Sequence, residues 1–266
     1  MLAKTAAALD RSWSRWPGSF DRFIARVDSQ KLPYLSHSKV SLYERCPRCY
    51  YRRYVLGERK ESAALLMGTL FHLAAKNLYV GIGGGSLPNS AELLDRKKIN
   101  TLPEESRNKL RNALTLLRNH YWEDHKVLSL EDPFFMDLAA GLPPVIGIPD
   151  LVLQRNSSLL VVDHKTSKSF NNLDCDQLVL YAEHLRRLHG TRSIIGVFDE
   201  YRLVPDLSTI RKPAFRRTPV SVDRSLLPAL VRRYRRVWKE ILAIDRDDEP
   251  LPASDCWICN SQNSWY

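Results

Sequence analysis

The chain has 266 residues, 44% of them hydrophobic and 26% charged, a globular composition that excludes a wholly disordered, collagen-like or membrane-embedded protein. Forty Lys and Arg against 30 Asp and Glu give a net charge of +10, which suits a polyanionic partner. Fourteen basic and four acidic residues lie between Arg186 and Lys239. That segment therefore carries the whole excess, and it reads either as a phosphate-binding surface or as a solvated, arginine-rich helix face.

Residues 1–33 read as a polar helical extension ending at Pro33, with charges and Trp interrupting every apolar run, so neither a secretory signal nor an anchor is expected. No stretch approaches the roughly 20 apolar residues that cross a bilayer. Ser38–Leu56 is expected as a Tyr- and Arg-rich helix, interrupted at Cys46-Pro47-Arg48-Cys49 and ended by Gly57. Met67–Val80 is apolar all round, the pattern of a buried helix, and carries His72. Gly81–Asn89 reads as a flexible loop, and Glu104–Asp124 resumes helical spacing through Leu110, Leu114, Leu117 and Tyr121. After Asp132 the period shortens: Phe134–Leu138, Val145–Gln154 and Leu159–Thr166 suggest an antiparallel meander. A helix over Leu173–Leu188, a strand over Ser193–Leu203 and an amphipathic helix over Ser225–Ile244 complete an α/β core with a mixed sheet. The last helix sets Leu230, Tyr234, Val237 and Ile241 against Arg232, Arg233, Arg235 and Arg236, the candidate contacts for a polyanion.

The chemistry concentrates in Gly147-Ile148-Pro149-Asp150 and Val161-Val162-Asp163-His164-Lys165-Thr166. Residues i and i+2 of a strand share a face, so Asp163 and Lys165 project together, away from Val162 and His164. If Asp150 ends the neighbouring strand, two carboxylates and an ammonium converge. Two carboxylates with waters and a substrate phosphate suit Mg²⁺, and a lysine beside the metal can orient the attacking water and stabilise developing charge. Taken alone, Asp-x-Lys also describes a solvated strand end, and an Asp after Pro also describes a turn.

The ordered set Gly68-Thr69-Leu70-Phe71-His72, Gly147-Ile148-Pro149-Asp150, Asp163-His164-Lys165-Thr166 and Gln177-Leu178-Val179-Leu180-Tyr181 resembles the PD-(D/E)xK nuclease superfamily. Within it, the set is similar to the RecB-type branch of helicase-nuclease domains and CRISPR adaptation nucleases, over roughly residues 34 to 260. The resemblance implies a restriction-endonuclease-like α/β core, a mixed β-sheet flanked by helices, with N-terminal and inserted helices: a domain over 34–266 with an insertion at about 81–130. It implies that His72, Asp150, Asp163 and the backbone carbonyl of His164 bind Mg²⁺ or Mn²⁺ and that Lys165 is catalytic. It also places Gln177 and Tyr181, which share a helix face, beside the active site. On their own, His72 reads as a satisfied core histidine, and Gln177 and Tyr181 as a surface polar residue and a core aromatic. Glu131 aligns loosely with an acid before the first core strand.

Five cysteines include two C-x-x-C pairs, Cys46/Cys49 and Cys256/Cys259, which in a chain without a signal peptide read as metal ligands or plain thiols before disulfides. Some relatives hold a 4Fe–4S cluster with one N-terminal and three C-terminal cysteines. Here no cysteine follows Cys259, and Cys49 could supply the fourth thiolate of an iron–sulfur or zinc site; a metal-free remnant is the alternative. Cys175 reads as an isolated thiol.

The expected function is a metal-dependent DNA nuclease of repair, recombination or foreign-DNA processing, cytoplasmic and without membrane contact. In it the acidic site cuts and the arginine-rich segment holds the strand. The alternative is an inactive nuclease-fold subunit that binds DNA or supports a helicase complex. No Gly-x-x-x-x-Gly-Lys-Ser/Thr motif occurs, so any ATP-driven unwinding belongs to a separate helicase subunit.

Overall fold

The computed structural model describes residues 33–58, 63–90, 92–94, 99–170, 173–190, 193–244 and 248–260. The expected extension over 1–33 lies, but for Pro33, outside them. In chain order the elements are β1 (Leu35–Ser36), α1 (His37–Arg45), α2 (Pro47–Tyr54), α3 (Ala63–Gly83), α4 (Glu104–Asn119), β2 (Lys126–Leu130), β3 (Phe134–Met136), β4 (Val145–Gly147), β5 (Leu151–Arg155), β6 (Ser158–Ser167), α5 (Asp176–His189), β7 (Ile194–Arg202), β8 (Phe215–Val220), α6 (Leu227–Leu242) and α7 (Trp257–Asn260). They form two units, one drawn from residues 1–60, 133–147 and 225–266, the other from 61–132 and 148–224.

In the first unit β4 pairs with β1 in parallel and with β3 antiparallel. Ser36 caps α1, its hydroxyl accepting the Lys39 N–H at 3.2 Å. Helix α1 stops at Arg45 because Cys46 precedes a proline and takes an extended conformation (φ −164°, ψ 108°), while Pro47 opens α2. Helix α6 buries Leu230, Tyr234, Val237 and Trp238; Trp238, rather than the expected Ile241, completes the buried stripe.

The second unit holds a five-stranded sheet in the order β2-β5-β6-β7-β8, with β6 and β7 parallel and the other pairs antiparallel. The parallel pair requires a crossover, which α5 supplies. On one face Phe71 of α3 and Leu110, Leu114 and Leu117 of α4 share a core with Tyr201 of β7. On the other, Leu178 of α5 lies against Gly196.

The expected meander is replaced by two sheets. Val145–Gln154 is not continuous: β4 ends at Gly147, β5 begins at Leu151, and they join different sheets. Pro149, which can neither donate to a ladder nor leave Ile148 unrestricted, lies in the break. Three strands were not anticipated, the two-residue β1 and two strands of the second unit. β2 falls within 81–130, and β8 carries Arg216, Arg217 and Pro219, tolerated because β8 is an edge strand. Helix α3 runs on to Gly83, so the loop is shorter than Gly81–Asn89, and α4 stops at Asn119 rather than Asp124.

Helix α3 also corrects the expectation about apolar length. Its 21 residues are long and apolar enough, by composition, to cross a membrane. It instead buries Met67, Leu70, Phe71, Ala74, Ala75, Leu78 and Tyr79 in the second unit and carries Lys76, which pairs with Glu131 at 3.3 Å. These are the features of a core helix.

Candidate active site

The β5–β6 ladder ends with Leu151 opposite Val162, so Asp150 and Pro149 lie just beyond its end while β6 runs on through Asp163 and His164. The His164 N–H thus meets no strand carbonyl, and the Asp150 carboxylate accepts it at 2.7 Å. A strand residue turns its N–H and C=O to the same edge. The His164 carbonyl therefore faces the same place, where Pro149 has no N–H to give it. His72 of α3 approaches from the side, its Nδ1 3.3 Å from the other Asp150 oxygen. The His164 ring points the opposite way, buried near Phe71 and Tyr201 with neither ring nitrogen hydrogen-bonded.

Asp163 is 2% exposed, and the Lys165 Nζ lies 2.6 Å from its Oδ2. Lys165 donates to Gln177 Oε1 at 2.9 Å, and Gln177 Nε2 to the Tyr181 hydroxyl at 2.8 Å. The i, i+4 pair on α5 thus fixes the ammonium against the carboxylate. The structure joins these residues in two lines of contacts, His72–Asp150 and Asp163–Lys165–Gln177–Tyr181, whose two carboxylates feel each other's charge.

Burial pushes the Asp163 carboxyl up, the Asp150 charge adds to this, and Lys165 opposes it, leaving a pKa of about 6. Burial also works to raise Asp150, but the hydrogen bond and charge of His72, with His164, bring it below the ordinary carboxylate range. His72 is raised: burial lowers it, and Asp150 and then Asp163 more than offset that. The two carboxylates therefore differ in character, one firmly ionised and the other costly to ionise without a cation. That contrast, together with hard oxygen donors and one imidazole, fits a divalent ion such as Mg²⁺ or Mn²⁺.

One neighbour was not anticipated. Glu200 of β7 is in register with Lys165 and with Arg216 of β8, is 1% exposed, and accepts two guanidinium bonds from Arg216 at 2.5 and 2.9 Å. The sequence signal is the acidic pair Asp199-Glu200 directly after the run Ile194–Phe198 within β7. Asp199, on the opposite face, is bound by Arg217 and the Trp122 indole.

The arginines of α6 are not a uniform free surface. Arg233 and Arg236 both pair with Glu44 of α1, and Arg235 donates to the Ala140 carbonyl at 3.2 Å; Arg232 is exposed. The four cysteines meet within the first unit, with sulfur separations of 3.4 Å (Cys49–Cys259), 3.6 Å (Cys49–Cys256) and 3.7 Å (Cys46–Cys259), and all four sulfurs lie within 4.8 Å of one another. Burial works against every thiolate here and pushes the Cys49 and Cys259 thiols up, whereas backbone hydrogen bonds from Ala253 and Cys49 bring Cys46 down.

Comparison with known proteins bears on the fold and the family. Among solved structures, a candidate exonuclease from Eubacterium rectale superposes with a TM-score of 0.58 at 13% identity, covering 92% of each chain, a likeness of fold. No curated protein matches. The family model of the PD-(D/E)XK nuclease superfamily matches residues 34–264, a span that includes His72, Asp150, Asp163, Lys165, Gln177 and Tyr181, and the chain belongs to that superfamily of nucleases.

Proposed function

We propose that this nuclease is a metal-dependent deoxyribonuclease that hydrolyses phosphodiester bonds. The observation that carries the reading is the line of contacts from His72 through Asp150, and from Asp163 through Lys165 and Gln177 to Tyr181. It is the arrangement an acid–acid–lysine mechanism needs. His72, Asp150, Asp163 and the His164 carbonyl would hold Mg²⁺ or Mn²⁺. Bound there, the ion would polarise the scissile phosphate and lower the pKa of a water molecule.

The remaining work falls to the chain. Asp150, already ionised, supplies a fixed negative charge, and its bond to the His164 N–H holds its orientation. Asp163 is buried and its pKa is raised to about 6, so at neutral pH it carries its charge at a cost that a bound cation would relieve. Lys165, tethered by Gln177, presents ammonium hydrogens that orient the attacking water and then stabilise the charge growing on the phosphate oxygens. Tyr181 keeps Gln177 in place, its hydroxyl also bonded to the Ile148 backbone.

The net charge of +10 and exposed residues such as Arg232 favour DNA as the polyanion, in repair, recombination or foreign-DNA processing in the cytoplasm. Any unwinding would be supplied by a separate helicase subunit. The four cysteines form a second metal site, iron–sulfur or zinc, distinct from the hard-ligand site. Cleavage of end-labelled single- and double-stranded DNA with Mg²⁺ or Mn²⁺ tests the proposal: activity should require the metal and vanish in Asp163→Ala and Lys165→Ala. Activity that persists in both variants would overturn it.

A further inference from the structure

We infer that the four-cysteine site holds a single tetrahedral Zn²⁺ ion rather than a 4Fe–4S cluster. Thiolates about 2.3 Å from one zinc ion stand about 3.8 Å from one another. The separations of 3.4, 3.6 and 3.7 Å, with all four sulfurs inside 4.8 Å, match that spacing. In a cubane each cysteine ligates a different iron, so the four sulfurs enclose the whole cluster and stand well beyond the spacing around one ion. Opening the site that far would require α2 and α7, which pack through these cysteines, to part.

The local backbone agrees. Each C-x-x-C pair spans a helix start: Cys46 is the cap of α2 with Cys49 in its first turn, and Cys256 directly precedes α7, which carries Cys259. The Cys46 sulfur accepts the backbone N–H of Cys49, the bond its own two-residue turn provides, and that of Ala253 from the segment leading to Cys256. Two such turns face each other, which a set of one N-terminal and three C-terminal cysteines cannot do.

The site is also closed. Cys46, Cys49 and Cys256 are buried, with Leu42, Ala253 and Ile258 packed around them, so four protein ligands leave no open position and the role is structural. Four thiolates on Zn²⁺ carry two net negative charges. Arg52 is close enough to feel the Cys259 charge, and Arg48, donating to the Pro250 carbonyl, and Arg52, pairing with Glu249, hold the segment that leads back to Cys256. Zinc would thus join residues more than two hundred positions apart.

The test is metal analysis of the full chain, purified without oxygen from cells supplied with both iron and zinc. About one zinc per chain is expected, with no acid-labile sulfide and a colourless solution. A mercurial that titrates the four thiols should release that zinc stoichiometrically, a readout that needs no variant. Cys256→Ser/Cys259→Ser should carry almost none, and zinc-stripped protein given Fe²⁺ and sulfide should form no four-iron chromophore. Four irons with four sulfides per chain, a cluster on reconstitution, or a metal-free chain with paired disulfides would each overturn the assignment.

Discussion

Asp163→Asn should make the metal-free protein more stable while removing its activity. The magnitude follows from burial. A carboxyl with a pKa of about 6 in the fold, against an ordinary 3.8, costs about 3 kcal/mol to hold ionised in the folded state at pH 7.5, at about 1.4 kcal/mol per pKa unit. The sign is fixed by linkage: because the folded pKa is raised, the unfolded state releases the proton first, so stability falls as pH climbs from about 4 to about 6 and stays reduced above. Asn removes this cost, in which the attraction of Lys165 is already included, and the Lys165 side chain it leaves unpaired is 35% exposed and stays solvated. A net gain of about 1–3 kcal/mol remains, a rise in Tm of a few degrees for a chain of this size. Thermal and urea denaturation in EDTA at pH 7.5 and pH 4 is the assay. The gap should be largest at pH 7.5, about half as large at pH 5 and almost absent at pH 4. Added Mg²⁺ should raise the Tm of the wild type and leave the variant unmoved. A variant less stable than wild type at pH 7.5 in EDTA, or a gap independent of pH, would refute the electrostatic account.

Four further outcomes are expected. His72→Ala should keep the fold and shift the metal dependence of cleavage to higher Mn²⁺, by about 10- to 100-fold for a lost ligand contact; an unchanged metal titration would remove His72 from the site. His164→Leu should retain activity within a few-fold, since position 164 acts through its backbone. The buried, pKa-lowered imidazole costs stability as pH falls below about 6.5, so the variant should resist acid better, as circular dichroism at pH 5 would show. Gly196→Ala should cost about 1–3 kcal/mol, because its Cβ would lie 2.6 Å from Val222 Cγ1 and 3.0 Å from Val220 Cγ2; a urea midpoint equal to wild type would contradict that packing. Arg232→Ala should lower DNA affinity and reduce the slope of log K against log salt by about one, whereas Glu44→Gln, which loosens Arg233 and Arg236, should leave or increase the slope; equal slopes in wild type and Arg232→Ala would exclude Arg232 as a phosphate contact.

What was legible in the sequence was whatever rested on local periodicity or fixed spacing. The two-residue repeat put Asp163 and Lys165 on one face, and the four-residue step put Gln177 and Tyr181 on another, and the structure joins the two pairs through the Lys165–Gln177 bond. The cysteine pairs were visible as pairs, but only the folded chain gives the sulfur separations that distinguish one ion from a cluster. What was not legible depended on distant partners. Asp150, following Pro149, also read as a turn former, yet the break at Pro149 ends the ladder so that the Asp150 carboxylate meets the His164 N–H. Strand β8 was hidden because its alternation runs through Arg216 and Arg217, whose carboxylate partners Glu200 and Asp199 lie on β7. The arginine stripe of α6 was read correctly as a stripe, but Glu44, almost two hundred residues earlier, takes up two of its four guanidinium groups.

The most direct test of the central claim is single-turnover cleavage of end-labelled DNA by the full chain, wild type beside Lys165→Ala and Asp163→Asn, in Mg²⁺, in Mn²⁺ and in EDTA. The account predicts products only for wild type with metal present, and a loss of at least about 10³-fold in both variants, on the scale of removing charge stabilisation from a phosphoryl-transfer site, while both variants keep the wild-type circular dichroism spectrum. Folded variants that cut as fast as wild type, or a wild type that cuts equally well in EDTA, would contradict it.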